Sequence, residues 1–331
     1  MTRIERILNL LESFRSKAQV QRFLQTKELP RAGTWEVVRE NIERGLKSKK
    51  ITEEELVVLL EDIEEHGDQY IYLYDFETAK APRLKDRAEF AKLLTDHERD
   101  RSLDKLSVVE KPSTEPTLVS AQYSETQIKL KWVQKRFFRQ PLDEHIDGNI
   151  ATVRYQIFDT RAVDLAILDF AHGKASLCVQ KIEPGVRDYK KQRKDLQDRL
   201  ARFVDADAFA PLDLHLLMKR MDGKNFAEIR RRRYRATDAN GGLIDVTSPA
   251  ESEDIYDGGL YEVGRDNYKG SVASLQVNAY WTPVAKKIER EIHTIFPYKQ
   301  AVNAVVFMQR CTKQERDYVL SRIEAIARGK S

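Results

Sequence analysis

The feature that most constrains the fold is a change in hydrophobic spacing near residue 107. Before it, apolar side chains recur every three or four positions, as they do in amphipathic helices. After residue 117 the spacing changes mainly to the alternation of β-strands, with helical stretches in between. The sequence therefore predicts an α+β protein, in which a helical N-terminal domain is followed by a mainly antiparallel β domain with interspersed helices.

Four of the predicted helices begin at threonines that can cap them. These are Thr2, Thr34, Thr52 and Thr312. Thr2 and Thr52 are each followed three residues later by a glutamate, which is the spacing of a capping box. Residues 107–117 hold the pairs Lys111-Pro112 and Glu115-Pro116 and are predicted to be a linker. The expected domains are therefore 1–106 and 118–331.

Residues 151–182 are predicted to form a three-stranded antiparallel meander. Its expected strands are 151–158, 163–170 and 174–182, and the expected turns are Thr160-Arg161 and His172-Gly173. A helix over 187–203 should follow. Residues 238–270 are acidic and come directly after a run of arginines, so they could fold back over it or form a mobile loop.

Composition places limits on partners and location. The chain of 331 residues carries 57 Lys and Arg but a net charge of only +4, so any affinity for nucleic acid must come from local clusters of charge. The sequence has neither a signal-peptide core near its start nor an apolar run long enough to cross a bilayer. We expect no membrane partner and a cytoplasmic location, or a nuclear one if the source is eukaryotic.

Catalytic and cofactor motifs are sparse. Cys178 and Cys311 lie in apolar runs and are expected to be small buried hydrophobes, while the six histidines show no metal-ligand spacing. No P-loop, GxGxxG or GxSxG pattern occurs, so we expect no cofactor, no metal and no catalytic residue. One enzymatic alternative is a metal-dependent nuclease built on Asp164 and Asp169, although the carboxylate–x–lysine spacing is absent before Lys181.

A helix–turn–helix pattern occupies residues 20–46. It consists of apolar residues before and after a turn at Gly33-Thr34, namely Val20, Phe23, Leu24, Leu29, Val37, Val38 and Ile42. This segment resembles the SAP motif, whose members contact duplex DNA, and the resemblance implies DNA contacts here. Family members usually carry a basic residue after the Gly-Thr pair, where this chain has Trp35.

The candidate contacts of the SAP-like segment surround the start of its second helix, where free amides can bind a phosphate. They are Arg31, Gly33, Thr34, Trp35 and Arg39. A helical hairpin that serves only packing or partner binding remains the alternative.

Two strands are predicted to add basic surfaces. In the first, Lys129 and Lys131 alternate with apolar residues and are followed by Lys135 and Arg136. The second contains an arginine run in which alternate residues should point the same way: Arg231, Arg233 and Arg235. Each strand could instead present an ordinary solvent face or a charged edge.

The sequence is therefore interpreted as that of a non-enzymatic nucleic-acid-binding or adaptor protein. The expected partner is nucleic acid, with duplex DNA favoured, or an acidic protein. The alternative is a protein–protein interaction subunit of a larger assembly. The sequence does not specify an oligomeric state.

Overall fold

The computed structural model describes eleven parts of the chain. They are residues 1–14, 16–97, 103–104, 106–181, 189–221, 228–237, 242–248, 254–255, 273–285, 287–298 and 301–329. These parts group into two compact units that interleave along the sequence. The first unit contains 1–65, 82–167 and 180–203, and the second contains 66–81, 168–179 and 204–331.

The helices of the described residues are α1 Arg3–Ser13, α2 Lys17–Thr26, α3 Trp35–Lys47, α4 Glu53–Glu65, α5 Pro82–Lys85, α6 Arg87–His97, α7 Tyr189–Leu200, α8 His215–Met221 and α9 Lys313–Ala327. The strands are β1 Gln69–Phe76, β2 Thr117–Tyr123, β3 Gln127–Asp147, β4 Ile150–Asp169, β5 Lys174–Gln180, β6 Phe209–Pro211, β7 Ile229–Thr237, β8 Leu243–Thr247, β9 Ala273–Trp281, β10 Ile292–Phe296 and β11 Ala304–Phe307. The predicted α+β class is confirmed.

Helices α1 to α4 pack together in the first unit. The capping boxes at Thr2 and Thr52 form as predicted, and α2 and α3 have the predicted bounds. Their shared core is made of apolar side chains that recur at helical spacing and are at most 3% exposed: Ile7, Leu8, Leu11, Val20, Leu24, Val38, Ile42, Leu56, Leu60 and Ile63. The amphipathic pattern therefore identified the buried faces correctly.

The long strands β3 and β4 also belong mainly to the first unit, where β3 pairs with β2 in antiparallel fashion. The predicted turn at Thr160-Arg161 is wrong, because β4 runs through it without interruption. The reversal lies instead at Gly148-Asn149, between β3 and β4. Gly148 has a φ of +55°, which the first position of a two-residue hairpin loop requires and which glycine adopts without strain.

In the second unit the strands lie in the order β5, β1, β11, β10, β9, β7 and β8, and β6 pairs with β1. The antiparallel pairs around β9 place Trp281 and Phe296 on a fully buried face. Thr312 caps α9 through a capping box with Glu315. Cys178 and Cys311 are free and buried, as expected.

The predicted linker at 107–117 does not separate the two compact units. The amide of Ser107 donates to the carbonyl of Val119, and the carbonyl of Ser113 accepts from the amide of Lys135, so these residues pack within the first unit. The predicted helix over 187–203 begins in the described residues at Tyr189, and most of the acidic segment 238–270 lies outside them. Among the described helices, none has both the length and the apolar character needed to cross a bilayer.

Candidate nucleic-acid interface

The SAP-like segment folds as the predicted pair of helices, α2 and α3, joined by an exposed turn. Gly33 has a φ of +128°, and a Cβ at this position would lie 2.8 Å from side-chain atoms of Val37. Glycine is therefore required here for two reasons, its conformation and the close approach of α3. The helical hairpin is confirmed, and contact with DNA remains a prediction.

The start of α3 already carries a carboxylate. Hydrogen bonds from the Thr34 hydroxyl and from its own backbone amide lower the pKa of Glu36, an exposed residue in the first turn of the helix. This negative charge interacts favourably with the helix dipole. It also repels a phosphate from the amides that the motif resemblance assigns to DNA.

The three large candidate side chains of this segment lie in different environments. Arg31 is exposed and donates to the side chain of Gln25. Trp35 is half-buried at the first position of α3. Arg39 donates to Asn9 at 2.9 Å and to Glu12 at 3.3 Å, which ties α3 to α1. Arg39 therefore has a structural role within the helical cluster.

The basic surface predicted on β3 is wrong at its centre. Lys131 is 0% exposed, and its Nζ lies 2.7 Å from Glu64 and 3.3 Å from Glu65. Its neighbours in sequence, Leu130 and Trp132, are equally buried, so both faces of the strand are covered here. Alternation marks a solvent face only where nothing packs on the charged side, and here α4 supplies the two glutamates.

The other three basic candidates of β3 are also paired. Lys129 is 18% exposed and lies 2.7 Å from Glu65, and Lys135 lies 3.1 Å from Asp159. Arg136 is buried against Asp164. These ion pairs leave little free positive charge on this strand for a phosphate backbone.

Asp164 is held between two arginines. Arg136 and Arg199 both donate to its Oδ2, the latter at 2.9 Å, and Asp164 is 1% exposed. The guanidinium of Arg199 also lies over the ring of Trp132, at 5.4 Å from its centre. Asp164 therefore serves as a buried counter-ion.

The nuclease alternative gains no support from these carboxylates. Asp169 accepts from the amide of His172 at 3.0 Å and contacts its ring, which is the geometry of a turn cap. Within the described ranges, no group of three or more His, Cys, Asp or Glu side chains is placed to hold a metal ion.

The arginine run lies on β7, between β9 and β8, and a β-bulge divides it. Arg231 lies opposite Ala279 of β9, but Arg233 lies opposite the next residue, Asn278, so Arg232 is an extra residue. Arg231 and Arg233 therefore point to opposite faces of the sheet. The expectation that Arg231, Arg233 and Arg235 share one face is wrong.

Arg231 faces the core. It is 1% exposed, and both its backbone amide and its Nε donate to Oδ2 of Asp254 at 3.0 Å. Its Nη1 donates to the carbonyl of Met221. A guanidinium buried in this way is not presented to a ligand, and removal of either partner would leave the other charge buried.

The remaining arginines lie on the opposite, partly open face, which we call the arginine face. It comprises Arg230, Arg232, Arg233, Arg235, Tyr280 and His293. Arg230 lies across from Tyr280, which lies across from His293, so a guanidinium, a phenol and an imidazole form one row over three strands. The Tyr280 and His293 rings are stacked, with centres 4.2 Å apart and planes at 9°.

Two of these arginines extend over the stacked pair. The guanidinium carbons of Arg230 and Arg232 lie 5.6 and 5.7 Å from the centre of the Tyr280 ring, within the range of cation–π attraction. Arg230 also pairs with Glu291 at 2.6 Å. Positive charge and aromatic surface thus occur together on one face of the sheet.

Arg233 and Arg235 share one carboxylate. Both lie within 2.8 Å of Asp245 on β8, and each arginine side chain is 38% exposed. The hydrogen bond from Arg233 lowers the pKa of Asp245, and the same bond raises the pKa of Arg233. Because one carboxylate neutralises only one of the two arginines, this end of the face keeps positive charge.

Sequence reasoning missed two members of the arginine face, Tyr280 and His293. It noticed the arginine run but chose Arg231, Arg233 and Arg235 from it, and left out Arg230 and Arg232. The pairing of Tyr280 with His293 joins two separate strands, β9 and β10, and local sequence patterns do not show which strands pair. A usable signal was present in β9, where Gln276, Asn278 and Tyr280 alternate with the apolar Val277 and Ala279. That alternation predicts an open polar face.

Comparison with known proteins does not name a family. No family model matches the chain, and no curated protein is detectably similar to it. The functional argument therefore rests on the geometry of the site.

Proposed function

We propose that the protein is a non-enzymatic nucleic-acid-binding protein that uses the arginine face. The observation that supports this most is the row of Arg230, Tyr280 and His293, flanked by Arg232 and Arg233. Arginine forks suit phosphate oxygens, and planar side chains suit the faces of bases. A sheet that presents both can follow a backbone and stack bases at the same time.

The charge of the arginine face agrees with a polyanionic ligand. Arg230 pairs with Glu291, whereas Arg233 and Arg235 together face the single carboxylate of Asp245. The positive charge left where two arginines share one carboxylate is local, and so it fits a chain whose net charge is only +4. Local excess of this kind supports binding that weakens as salt displaces the contacts.

The stacked rings favour strands whose bases are unpaired. Bases inside a duplex are already stacked on one another, whereas single strands can place them on aromatic side chains. The SAP-like resemblance points instead to duplex DNA, which is the second candidate ligand. The two candidates involve different surfaces and can be separated by mutation.

The direct test measures fluorescence anisotropy of labelled single-stranded DNA, RNA and duplex DNA over a salt series, with and without Mg²⁺. We expect single strands to bind best, with Kd rising steeply between roughly 50 and 200 mM salt. Affinity that does not change with salt would contradict the proposal. Mg²⁺-dependent shortening of the probe would favour the nuclease alternative.

Two variants and a control localise the binding. Tyr280→Leu should weaken single-strand binding by roughly five- to a hundred-fold, the range given by loss of one stacking contact. Arg232→Gln should weaken it and lower the salt slope by about one. Arg83→Gln removes the same charge at a residue that is 53% exposed in the first unit, and it should leave binding unchanged. Equal losses in all three variants would exclude a specific role for the arginine face.

A further inference from the structure

The distal part of the β3–β4 hairpin, residues 137–158, carries an unusual amount of exposed apolar surface. We call it the arm. Every residue from 139 to 152 is exposed. Six large apolar residues of the arm are at least 48% exposed: Phe137, Leu142, Ile146, Ile150, Tyr155 and Ile157. Single exposed apolar residues are ordinary, but a continuous patch of them marks an interaction site.

Four of these six apolar side chains share one face of the arm. Arg154 donates through Nε to Asp143 at 2.8 Å, so these two side chains share a face. Because side chains alternate along a strand, the neighbours of Asp143 and Arg154 point to the opposite face. That opposite face, which we call the apolar face, holds Leu142 and Ile146 of β3 with Val153, Tyr155 and Ile157 of β4, and Glu144 is a charged residue on it. Phe137 and Ile150 lie on the face of Arg154.

A two-stranded hairpin with an uncovered apolar face is energetically unfavourable in an isolated chain. A two-stranded hairpin is marginally stable in water, and its stability depends on covering its apolar face. Leu142 is 62% exposed and Ile146 is 67% exposed, values that leave most of each side chain in water. The arrangement is suited to a surface that becomes buried on association.

We propose that the apolar face packs against the same face of a second copy of this chain. The five side chains present roughly 500 Å², so two copies would bury about 1,000 Å², which is near the lower limit of stable protein interfaces. A surface that pairs with itself across a two-fold axis needs no other partner.

The charges of the arm fit an antiparallel pairing of two copies. Glu144 and Asp147 make the tip acidic, whereas the exposed Arg139 lies towards the base. Asp143 and Lys135 are already paired within the chain, with Arg154 and Asp159. Two arms related by a two-fold axis perpendicular to them place each acidic tip beside the basic base of the other. The same acidic tip disfavours a nucleic-acid ligand for the arm, because it would repel phosphates.

The test is the oligomeric state of the full chain, measured by sedimentation velocity from about 1 to 100 µM, the range in which a modest interface assembles. We expect a monomer–dimer equilibrium. Ile146→Asp should raise the dimer dissociation constant at least ten-fold by placing a charge in the apolar face. Thr152→Asp adds the same charge on the face of Arg154 and should leave the equilibrium unchanged. Circular dichroism should show that both variants keep the fold.

A chain that stays monomeric throughout this range would overturn the proposal, as would dimers that Ile146→Asp and Thr152→Asp weaken equally. A second measurement traps the contact directly. Leu142→Cys places a thiol on the apolar face, and the native Cys178 and Cys311 are buried. Under mild oxidation a disulfide-linked dimer is expected from Leu142→Cys, and Thr152→Cys should give none. The reverse pattern would place the interface on the opposite face. None of these arm variants alters the arginine face, so this result is independent of the binding assays.

Discussion

The Nζ of Lys131 lies 2.7 Å from Oε2 of Glu64, and both side chains are almost completely removed from water. Burial alone would lower the pKa of Lys131, but the attraction of Glu64 and Glu65 outweighs it and raises the pKa above its usual value. The lysine is therefore charged in the folded protein. Its ion pairs link β3 to α4. The sequence pattern had predicted that this lysine faces the solvent.

Replacing Lys131 by methionine should destabilise the protein by up to about 3 kcal/mol, because two buried carboxylates lose one of their counter-ions. Glu64 then keeps Arg161, and Glu65 keeps Lys129. Lys129→Met, at a side chain that is 18% exposed, should cost clearly less. Urea unfolding followed by circular dichroism measures both values. Equal midpoints for the two variants would show that the burial of Lys131 does not determine the stability of this cluster.

The arginine run should separate into residues that hold the fold and residues that bind. Arg231→Ala leaves Asp254 buried without its partner and should cost about 3–5 kcal/mol of unfolding free energy. Arg233→Ala removes a 38% exposed side chain and should cost at most about 1 kcal/mol, while it weakens nucleic-acid binding. Thermal unfolding and anisotropy on the same samples provide the comparison. Loss of binding in Arg231→Ala with full stability would reverse the assignment.

The SAP-like segment can be tested through Glu36. If the amides at the start of α3 contact phosphate, Glu36→Gln removes a repelling charge and should tighten duplex binding a few-fold at low salt. The gain should disappear at high salt, because exposed charges are screened. Single-strand binding through the arginine face should not change. Unchanged duplex affinity at low salt would argue that this helix start is not a phosphate site.

Tyr318 should lose its phenolic proton at a higher pH than an ordinary tyrosine. Burial and its hydrogen bond to Glu228 at 2.8 Å raise the pKa of Tyr318 to about 12. A raised folded pKa means that the associated stability is fully present below the unfolded value near 10 and is lost as the pH rises through about 12. When the pH is raised, phenolate absorbance should therefore include a step near pH 12 that Tyr318→Phe removes. The same variant should also flatten the fall in stability between about pH 10 and 12.

Local rules predicted much of the fold. The threonine caps at Thr2, Thr52 and Thr312 form as expected, because a capping box depends only on residues three apart. The helical core followed from apolar spacing for the same reason. The turn at Thr160-Arg161 was predicted wrongly because a strand interior and a turn can share the same residue types, and Gly148 marked the true reversal.

The site was less predictable because its residues depend on pairing between distant segments. Lys131 looked like a surface lysine until α4 placed Glu64 and Glu65 beside it. Tyr280 and His293 meet only through the pairing of β9 with β10, which a single sequence does not reveal. The arginines themselves were noticed, but a bulge decides which of them are open to solvent.

The bulge at Arg232 determines which single-residue deletions β7 can tolerate. Arg232 is the extra residue of β7 at the bulge, so the pairing with β9 is regular from Ile229 to Arg231 and again from Arg233 to Arg235. Deleting Arg232 would leave Arg231 buried and Arg233 and Tyr234 on their present faces. Deleting Tyr234 instead would shift the residues after it and send Arg235 towards the core. Within the arginine run, β7 can therefore lose one residue while the side chains on either side of it stay on the same faces of the sheet.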